Sequence, residues 1–398
     1  MHAVTFGSGV VTVPAPKAGP GTVRVGLIGC GAFARFSMEQ YRRLPGVAVA
    51  AVADVNPTAA GRAAAELEAS RRDVDEILAA DDIDLVYIAT PPALHFPQAR
   101  AALLAGKHVL VEKPPATTVA DAEELAHLAS RVDRICTANL LQRYTALSEA
   151  VKRVIDSRLL GDPIHGLFIN EASDEGLGRD HWFWNRDVSG GIFVEHGVHF
   201  FDLVAGWFGP ATVVAAARSV RPDANGSRKP VEEQVCCTCR HATDLPQTGV
   251  LVHYVHGFHQ PTRLDRQEMR LVFERGELRL FDWVFTHGVL RALVDGAATD
   301  QLADMLPGSV VRQIDRFEGP ARSMRGRFKP FTASNLVEIT FTSGLDKMGT
   351  YAAAVRDLAA DQLAWLQDRS RCRRVTAANG VAAVATACEA DRMALATG

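Results

Sequence analysis

Residues 23–34 read VRVGLIGCGAFA. A short β-rich run, Val23 to Ile28, breaks into Gly29-Cys30-Gly31-Ala32-Phe33-Ala34, and helical spacing follows at once in FARFSMEQYRRL. This is G-x-G-x-x-A set between a strand and a helix. The first glycine permits a tight turn, the second lets a pyrophosphate approach the backbone, and the small third residue lets helix and sheet pack closely. Backbone N–H groups at the helix start then face the phosphates. The next apolar run, VAVAAVAD, ends in Asp54, near the offset from which an acid hydrogen-bonds an adenosine ribose. A plain glycine turn with an acid ahead of the next helix fits the same letters, but the full order of strand, turn, helix, strand and acid favours a dinucleotide. Asp54 repels a 2′-phosphate and Val55 beside it carries no charge, so NAD is expected. NADP is the alternative, should Arg62, Arg71 or Arg72 fold back.

Further along, PTAAGRAAAELEAS is helical with Pro57 in its first turn, and strand IDLVYIAT, helix FPQARAALLAG, strand HVLVE, helix VADAEELAHLAS and strand RICTAN follow. Apolar strands alternating with amphipathic helices predict a parallel sheet covered on both faces. Ligands of such sheets bind beyond the carboxyl ends of the strands. Three ends carry suggestive residues: Thr90-Pro91-Pro92 with His95, Glu112-Lys113-Pro114, and Asn139. A lysine at such an end faces the chemistry of a bound cofactor. After about Arg143 the rhythm shifts to a helix and then longer strands separated by turns, among them PIHGLFINEAS, EEQVCCTCRH, GVLVHYVHGFH and NLVEITFT. These predict an open, largely antiparallel sheet, with two helical stretches closing the chain. The expected division is a leader arm or added edge strand over 1–22, a dinucleotide-binding domain over 23–143, and a substrate-binding and oligomerisation domain over 144–398.

The chain has 398 residues, 47% hydrophobic and 22% charged, which is ample for two cores. A formal charge of −3 gives no electrostatic reason to expect nucleic acid or an acidic membrane surface. No apolar run approaches a membrane span, and the first residues lack the pattern of a secretory signal. Seven cysteines without a disulfide rhythm fit a reducing compartment, so a cytoplasmic location is expected.

GGIFVEHGVHFFDLVAGWFGP reads as a helix ended by Gly209-Pro210. Glu195, His199 and Asp202, spaced i, i+4 and i+7, share one face. That face is either solvated or functional. His196 points about 100° away from Glu195 on a helix and reads as structural. Trp182 and Trp184 either stack on a sugar ring or pack ordinarily, and Asn170, Arg143 and Arg186 offer partners for hydroxyls or a carboxylate. Cys237, Cys239 and His241 in VCCTCRH have the i, i+2 spacing of a strand, not of a zinc turn, and read as core. His253, His256 and His259 alternate faces, so no metal site is expected. Arg322, Arg325, Arg327 and Lys329 in ARSMRGRFKP read as a solvated loop.

VGLIGCGAFA, IATPPALHFPQARAALLAGKHVLVEKP and SGGIFVEHGVHFFD together resemble the glucose–fructose oxidoreductase/inositol dehydrogenase/rhizopine-catabolism (Gfo/Idh/MocA) family of NAD(P)-dependent oxidoreductases. The resemblance implies an α/β protein, with an N-terminal Rossmann doubly wound parallel sheet plus a C-terminal α+β domain built on a large open sheet. It implies a carbohydrate-like small-molecule substrate and a homodimer or homotetramer. It also implies a catalytic Lys113 that touches substrate and nicotinamide, and a cis Lys113–Pro114 bond. The family's acid before the histidine is usually Asp, where this chain has Glu195. The expected reaction is hydride transfer between nicotinamide and a secondary alcohol or ketone, with His199 as base, Glu195 orienting it and Lys113 stabilising the oxygen. Two alternatives stand beside it: a glycoside hydrolase or isomerase that uses NAD transiently, and a catalytically silent sensor.

Overall fold

The computed structural model describes residues 2–6, 9–13, 21–174, 176–221, 231–242 and 249–396. The chain divides into two compact units. One comprises Met1–Leu141, Asp180–Asp202 and Ala354–Cys388, and the other Gln142–Arg179, Leu203–Ala353 and Glu389–Gly398. The division differs from the expected single cut at 143/144. Residues 180–202, with Glu195 and His199, cluster with the dinucleotide-binding segment.

The first unit is built on strands β1 (Val23–Ile28), β2 (Val47–Ala53), β3 (Ser70–Arg71), β4 (Leu85–Ile88), β5 (His108–Val111) and β6 (Cys136–Ala138). They form one parallel sheet in the order β3-β2-β1-β4-β5-β6. This is the doubly wound Rossmann order, with its switch point between β1 and β4. Every residue of β4 and β5 is buried, as expected of strands covered on both faces. The helices between them are α1 (Ala32–Tyr41), α2 (Pro57–Leu67), α3 (Val74–Ala79), α4 (His95–Leu104) and α5 (Val119–Arg131). Their starts are fixed locally. Asn56 accepts from the Thr58 and Ala59 amides ahead of α2, and Thr118 accepts from the Asp121 amide ahead of α5. Of the leader expected over 1–22, strands His2–Phe6 and Gly9–Val13 pair antiparallel with one another. Its residues 1, 7–8 and 14–20 lie outside the described residues.

The second unit opens with α6 (Ala146–Ser157) and β7 (Pro163–Glu171), and takes in the end of α7 (Val198–Phe208). Strands β8 (Ala211–Arg221), β9 (Val231–His241), β10 (Val250–Gly257), β11 (Arg266–Phe273), β12 (Gly276–Phe281), β13 (His287–Val294), β14 (Val310–Arg316) and β15 (Asn335–Thr342) follow. With β7 they make a nine-stranded sheet in the order β8-β9-β10-β7-β11-β12-β13-β15-β14, antiparallel except between β10 and β7. Residues alternate between its faces. Cys237, Cys239 and His241 of β9 and Tyr254 and His256 of β10 are buried, whereas Cys236 is exposed. His241 lies 2.9 Å from the Tyr254 hydroxyl, and burial pushes His256 down to about 3. His253 points to the other face, 2.9 Å from the Thr238 hydroxyl.

ARSMRGRFKP is not the expected loop. Ser323–Gly326 and Lys329–Thr332 pair as a hairpin. Its turn residues, Arg327 and Phe328, hold φ of 50° and 64°. Such angles usually call for glycine or asparagine, so the turn left no mark in the sequence. Among the described residues no helix is long and apolar enough to cross a membrane.

Candidate active site

The glycine turn fits a dinucleotide on its own geometry. Gly29 has φ +89°, and a Cβ there would stand 2.6 Å from the Ala89 carbonyl oxygen. The turn therefore requires glycine sterically. Gly31 is different, because a Cβ added to it would meet nothing within 4 Å. The protein leaves that space open at the start of α1, where a pyrophosphate would approach the backbone. Ala32 and Phe33 open the helix, and Ala34 is buried where α1 meets the sheet. Asp54 accepts from the amide of Cys30 at 2.7 Å with one oxygen and from the amide of Asn56 at 2.7 Å with the other. The acid thus braces the turn from the end of β2. Of the three arginines that could favour a 2′-phosphate, Arg62 pairs with Glu66 at 2.7 Å. Arg72 grips Asp82 through both terminal nitrogens at 2.7 and 2.8 Å, which holds that carboxyl well below its usual range.

Beyond β4, the Thr90 hydroxyl donates to Gln98 at 2.7 Å, and Pro91 and Pro92 lead through a short helical turn into α4. His95 is 1% exposed, with its ring nitrogens each 2.6 Å from a carbonyl, those of Pro114 and Thr90. Its side chain bridges the turns after β4 and β5 and keeps no polar atom to offer a cofactor. Burial pushes this imidazole down to about 4, against the pull of the two carbonyls.

After β5 the Lys113–Pro114 bond is cis. Glu112 points into the protein. The Tyr87 hydroxyl donates to its Oε1, and Asn139 Nδ2 donates to the same oxygen at 2.8 Å. Burial raises the Glu112 pKa, while these donors and the Lys113 backbone N–H pull it back. Tyr87, Glu112 and Asn139 come from the ends of three successive strands, so the doubly wound order alone brings them together. Tyr87 escaped the sequence reading because in IDLVYIAT it looks like one more apolar core residue.

The Lys113 ammonium donates to the carboxylate of Glu195 and, at 2.7 Å, to the Glu195 carbonyl. Both residues belong to the first unit. The expected single helix is not uniform here: Phe193–Gly197 winds as a π-helix before α7 begins. Such turns interrupt the i→i−4 ladder and recur at functional sites. Glu195, His199 and Asp202 are 7%, 6% and 2% exposed, which removes the solvated-face reading. Buried ionisable groups at this density need partners or a purpose. His196 is also buried, near the Phe200 ring.

The other candidates scatter. Trp182 and Trp184 lie on a short helical turn of the first unit, half-buried, with Trp184 edge-on to Phe183 at 4.7 Å. Arg143 belongs to the second unit, where its guanidinium lies over Gly206. Asn170, also there, is buried with its amide toward the Gly257 carbonyl at 3.4 Å.

Two family models match this chain. Residues 23–140 match the GFO/IDH/MocA oxidoreductase family with an NAD-binding Rossmann fold, and residues 148–279 match the GFO/IDH/MocA C-terminal domain. The chain belongs to the GFO/IDH/MocA family of oxidoreductases. As in that family, its first domain is an NAD-binding Rossmann domain. A glycosyl hydrolase family 109 protein of Saccharopolyspora erythraea is 30% identical over 196 residues, 44% of this chain and 43% of that protein. The chain thus matches under half the length of that relative. Among solved structures, a levoglucosan dehydrogenase in complex with NADH and levoglucosan superposes with TM-score 0.72 at 20% identity, over 94% of this chain and 98% of that one. A biliverdin reductase of Synechocystis, in complex with biliverdin and NADP+, superposes with TM-score 0.67 at 17% identity, over 94% and 99%. At these identities the GFO/IDH/MocA fold is shared and the substrate is not implied.

Proposed function

We propose that this protein is an NAD-dependent dehydrogenase, or reductase in the other direction, acting on a secondary alcohol or ketone of a sugar, inositol or sugar derivative. The observation that carries the reading is the ammonium of Lys113, fixed by Glu195 at the carboxyl end of the dinucleotide-binding sheet. An ammonium has three N–H donors. Glu195 takes two, through its carboxylate and its carbonyl, and the third is left for a substrate oxygen. Lys113 in this state is a donor, suited to an oxygen that gains negative charge as its proton leaves. His199 takes that proton, since imidazole is the side chain whose ordinary titration lies near neutrality. The bound nicotinamide supplies the hydride chemistry. Asp54, Gly29 and Gly31 bind the dinucleotide, and Trp182 and Trp184 offer the faces on which a sugar ring stacks.

A second reading is glycoside cleavage with transient redox, favoured by the relative called a glycosyl hydrolase family 109 protein. Both readings use the same Lys113 and the same cofactor. A panel of sugars, inositols, sugar acids and aryl glycosides, followed at the NADH band and by product analysis, separates them. The dehydrogenase gives net NADH in step with ketone, and the hydrolase gives cleaved product with no net NADH. Binding of NADH with neither product defeats both readings.

A further inference from the structure

We propose that Tyr87 is a positioning residue for Lys113, acting through the Glu112 carboxylate that it shares with Asn139. The inference rests on the reading of Lys113 as the catalytic cation, and it adds a residue that neither the motif nor the family description assigns. Tyr87 and Asn139 are 0% and 2% exposed, and the half-buried Glu112 reaches its carboxylate between them. Two side-chain donors converge on one oxygen of that carboxylate, the Tyr87 hydroxyl and Asn139 Nδ2 at 2.8 Å, and the next residue along the turn is Lys113. Asn139 Nδ2 also stands 3.3 Å from the Tyr87 hydroxyl, which closes the triangle.

The arrangement fixes the side chain of the residue that immediately precedes Lys113, while Glu195 holds the ammonium of Lys113 itself. Glu112 serves as the anchor only while it is an anion. A protonated carboxyl turns one oxygen into a donor and gives up part of its hold on the Tyr87 O–H and the Asn139 N–H. The groups that face it are Lys113 on its own turn, Tyr87 on β4 and Asn139 beyond β6, with Tyr41 and Ser37 of α1 behind Tyr87. Lys113 is the charged group that acts on it, and burial works in the opposite direction. Each donor that is removed therefore makes the anion harder to keep.

The test uses Tyr87→Phe, which removes one oxygen and keeps the ring, and Asn139→Ala, which removes the other side-chain donor. Carboxyl-¹³C NMR of glutamate-labelled protein follows the Glu112 titration, with its signal identified by its loss in Glu112→Gln. The expected result is an upward move of the midpoint by about one pH unit in each variant. The acid limb of the turnover profile in Tyr87→Phe should move by the same amount, while NADH affinity stays within about threefold. An unmoved midpoint in both variants overturns the proposal, as does a variant that loses stability while carboxyl and acid limb stay in place. The carboxyl titration needs no substrate. Should Lys113→Met retain full turnover, the functional reading fails, and the Glu112 midpoint still decides whether Tyr87 and Asn139 hold this carboxylate.

Discussion

Two polar clusters, one half-buried at strand ends and one sealed inside a sheet, divide the chemistry of this chain. At the strand ends of the Rossmann sheet, Tyr87, Glu112, Asn139, Lys113 and Glu195 form a charged, hydrogen-bonded group. Inside the nine-stranded sheet, His241, Tyr254, His256, Cys237 and Cys239 form a neutral one. There burial holds His241 and His256 low, and it holds Tyr254 high. The Cys237 thiol is held high by its hydrogen bond to Cys239 and by burial. Both clusters look functional in a list of titratable residues. The difference is that the first keeps ions largely shielded from water, which is costly and persists where each ion has partners and a use. The second avoids charge altogether, as a packed core does.

The strongest way to break this contrast is to remove one charge from the first cluster. Lys113→Met should lower turnover by about a thousandfold or more while NADH affinity changes by less than about fivefold, because the lost donor acts on the developing oxyanion. Steady-state kinetics with a fluorescence titration of NADH checks both. Gly29→Ala attacks the cradle. A Cβ 2.6 Å from the Ala89 carbonyl, at φ +89°, should cost about 2 kcal/mol or more of stability and weaken NADH binding at least tenfold. Denaturant unfolding and the same titration read it. Glu195→Asp keeps the charge but shortens the arm that holds Lys113. Turnover should fall about tenfold, with the loss in kcat more than in KM.

Acid gives a milder test that reaches both units. His95, His108 and His256 are buried with pKa values pushed to about 4, 3 and 3. An unfolded histidine titrates near 6.5, so between about 6.5 and 4 the unfolded chain binds more protons than the folded one. Their stabilising contribution is complete above pH 6.5. It is lost as pH falls, at about 1.4 kcal/mol per pH unit for each histidine. Urea midpoints at pH 7.5, 6 and 5 should drop steadily, before ordinary carboxylates begin to titrate. The smallest effect belongs to the neutral cluster. Tyr254→Phe removes the hydroxyl beside His241 and should cost about 1 kcal/mol of stability while turnover stays within twofold.

Much of this was legible in the sequence because local chemistry dictated it. Gly29 is needed by the turn itself, Asp54 follows from the strand–helix rhythm, and the Lys113 turn announces itself by a charged pair at the end of an apolar strand. Alternation alone separated Cys237 and Cys239 from Cys236. What escaped depended on contacts distant in the chain. The π turn at Phe193–Gly197 has no composition of its own, and Tyr87 becomes polar in function only when Glu112 arrives on the neighbouring strand. His95 sits in a motif that suggests a ligand contact, yet both its ring nitrogens lie against backbone carbonyls. The clustering of residues 180–202 with the first unit reflects tertiary packing that no turn signal marks.

The central claim is that Lys113, held by Glu195 beside an NAD-binding cradle, serves hydride transfer to a carbonyl carbon. The most direct measurement supplies the protein with NADH carrying deuterium at the transferable position, together with a panel of ketoses and inosose-type ketones. Mass spectrometry then follows the carbinol products of wild type and Lys113→Met. The account predicts deuterium on the reduced carbon with the wild-type protein, and at most a trace with the variant. Equal labelling by both proteins, or no labelled product from a wild type saturated with NADH, would contradict it.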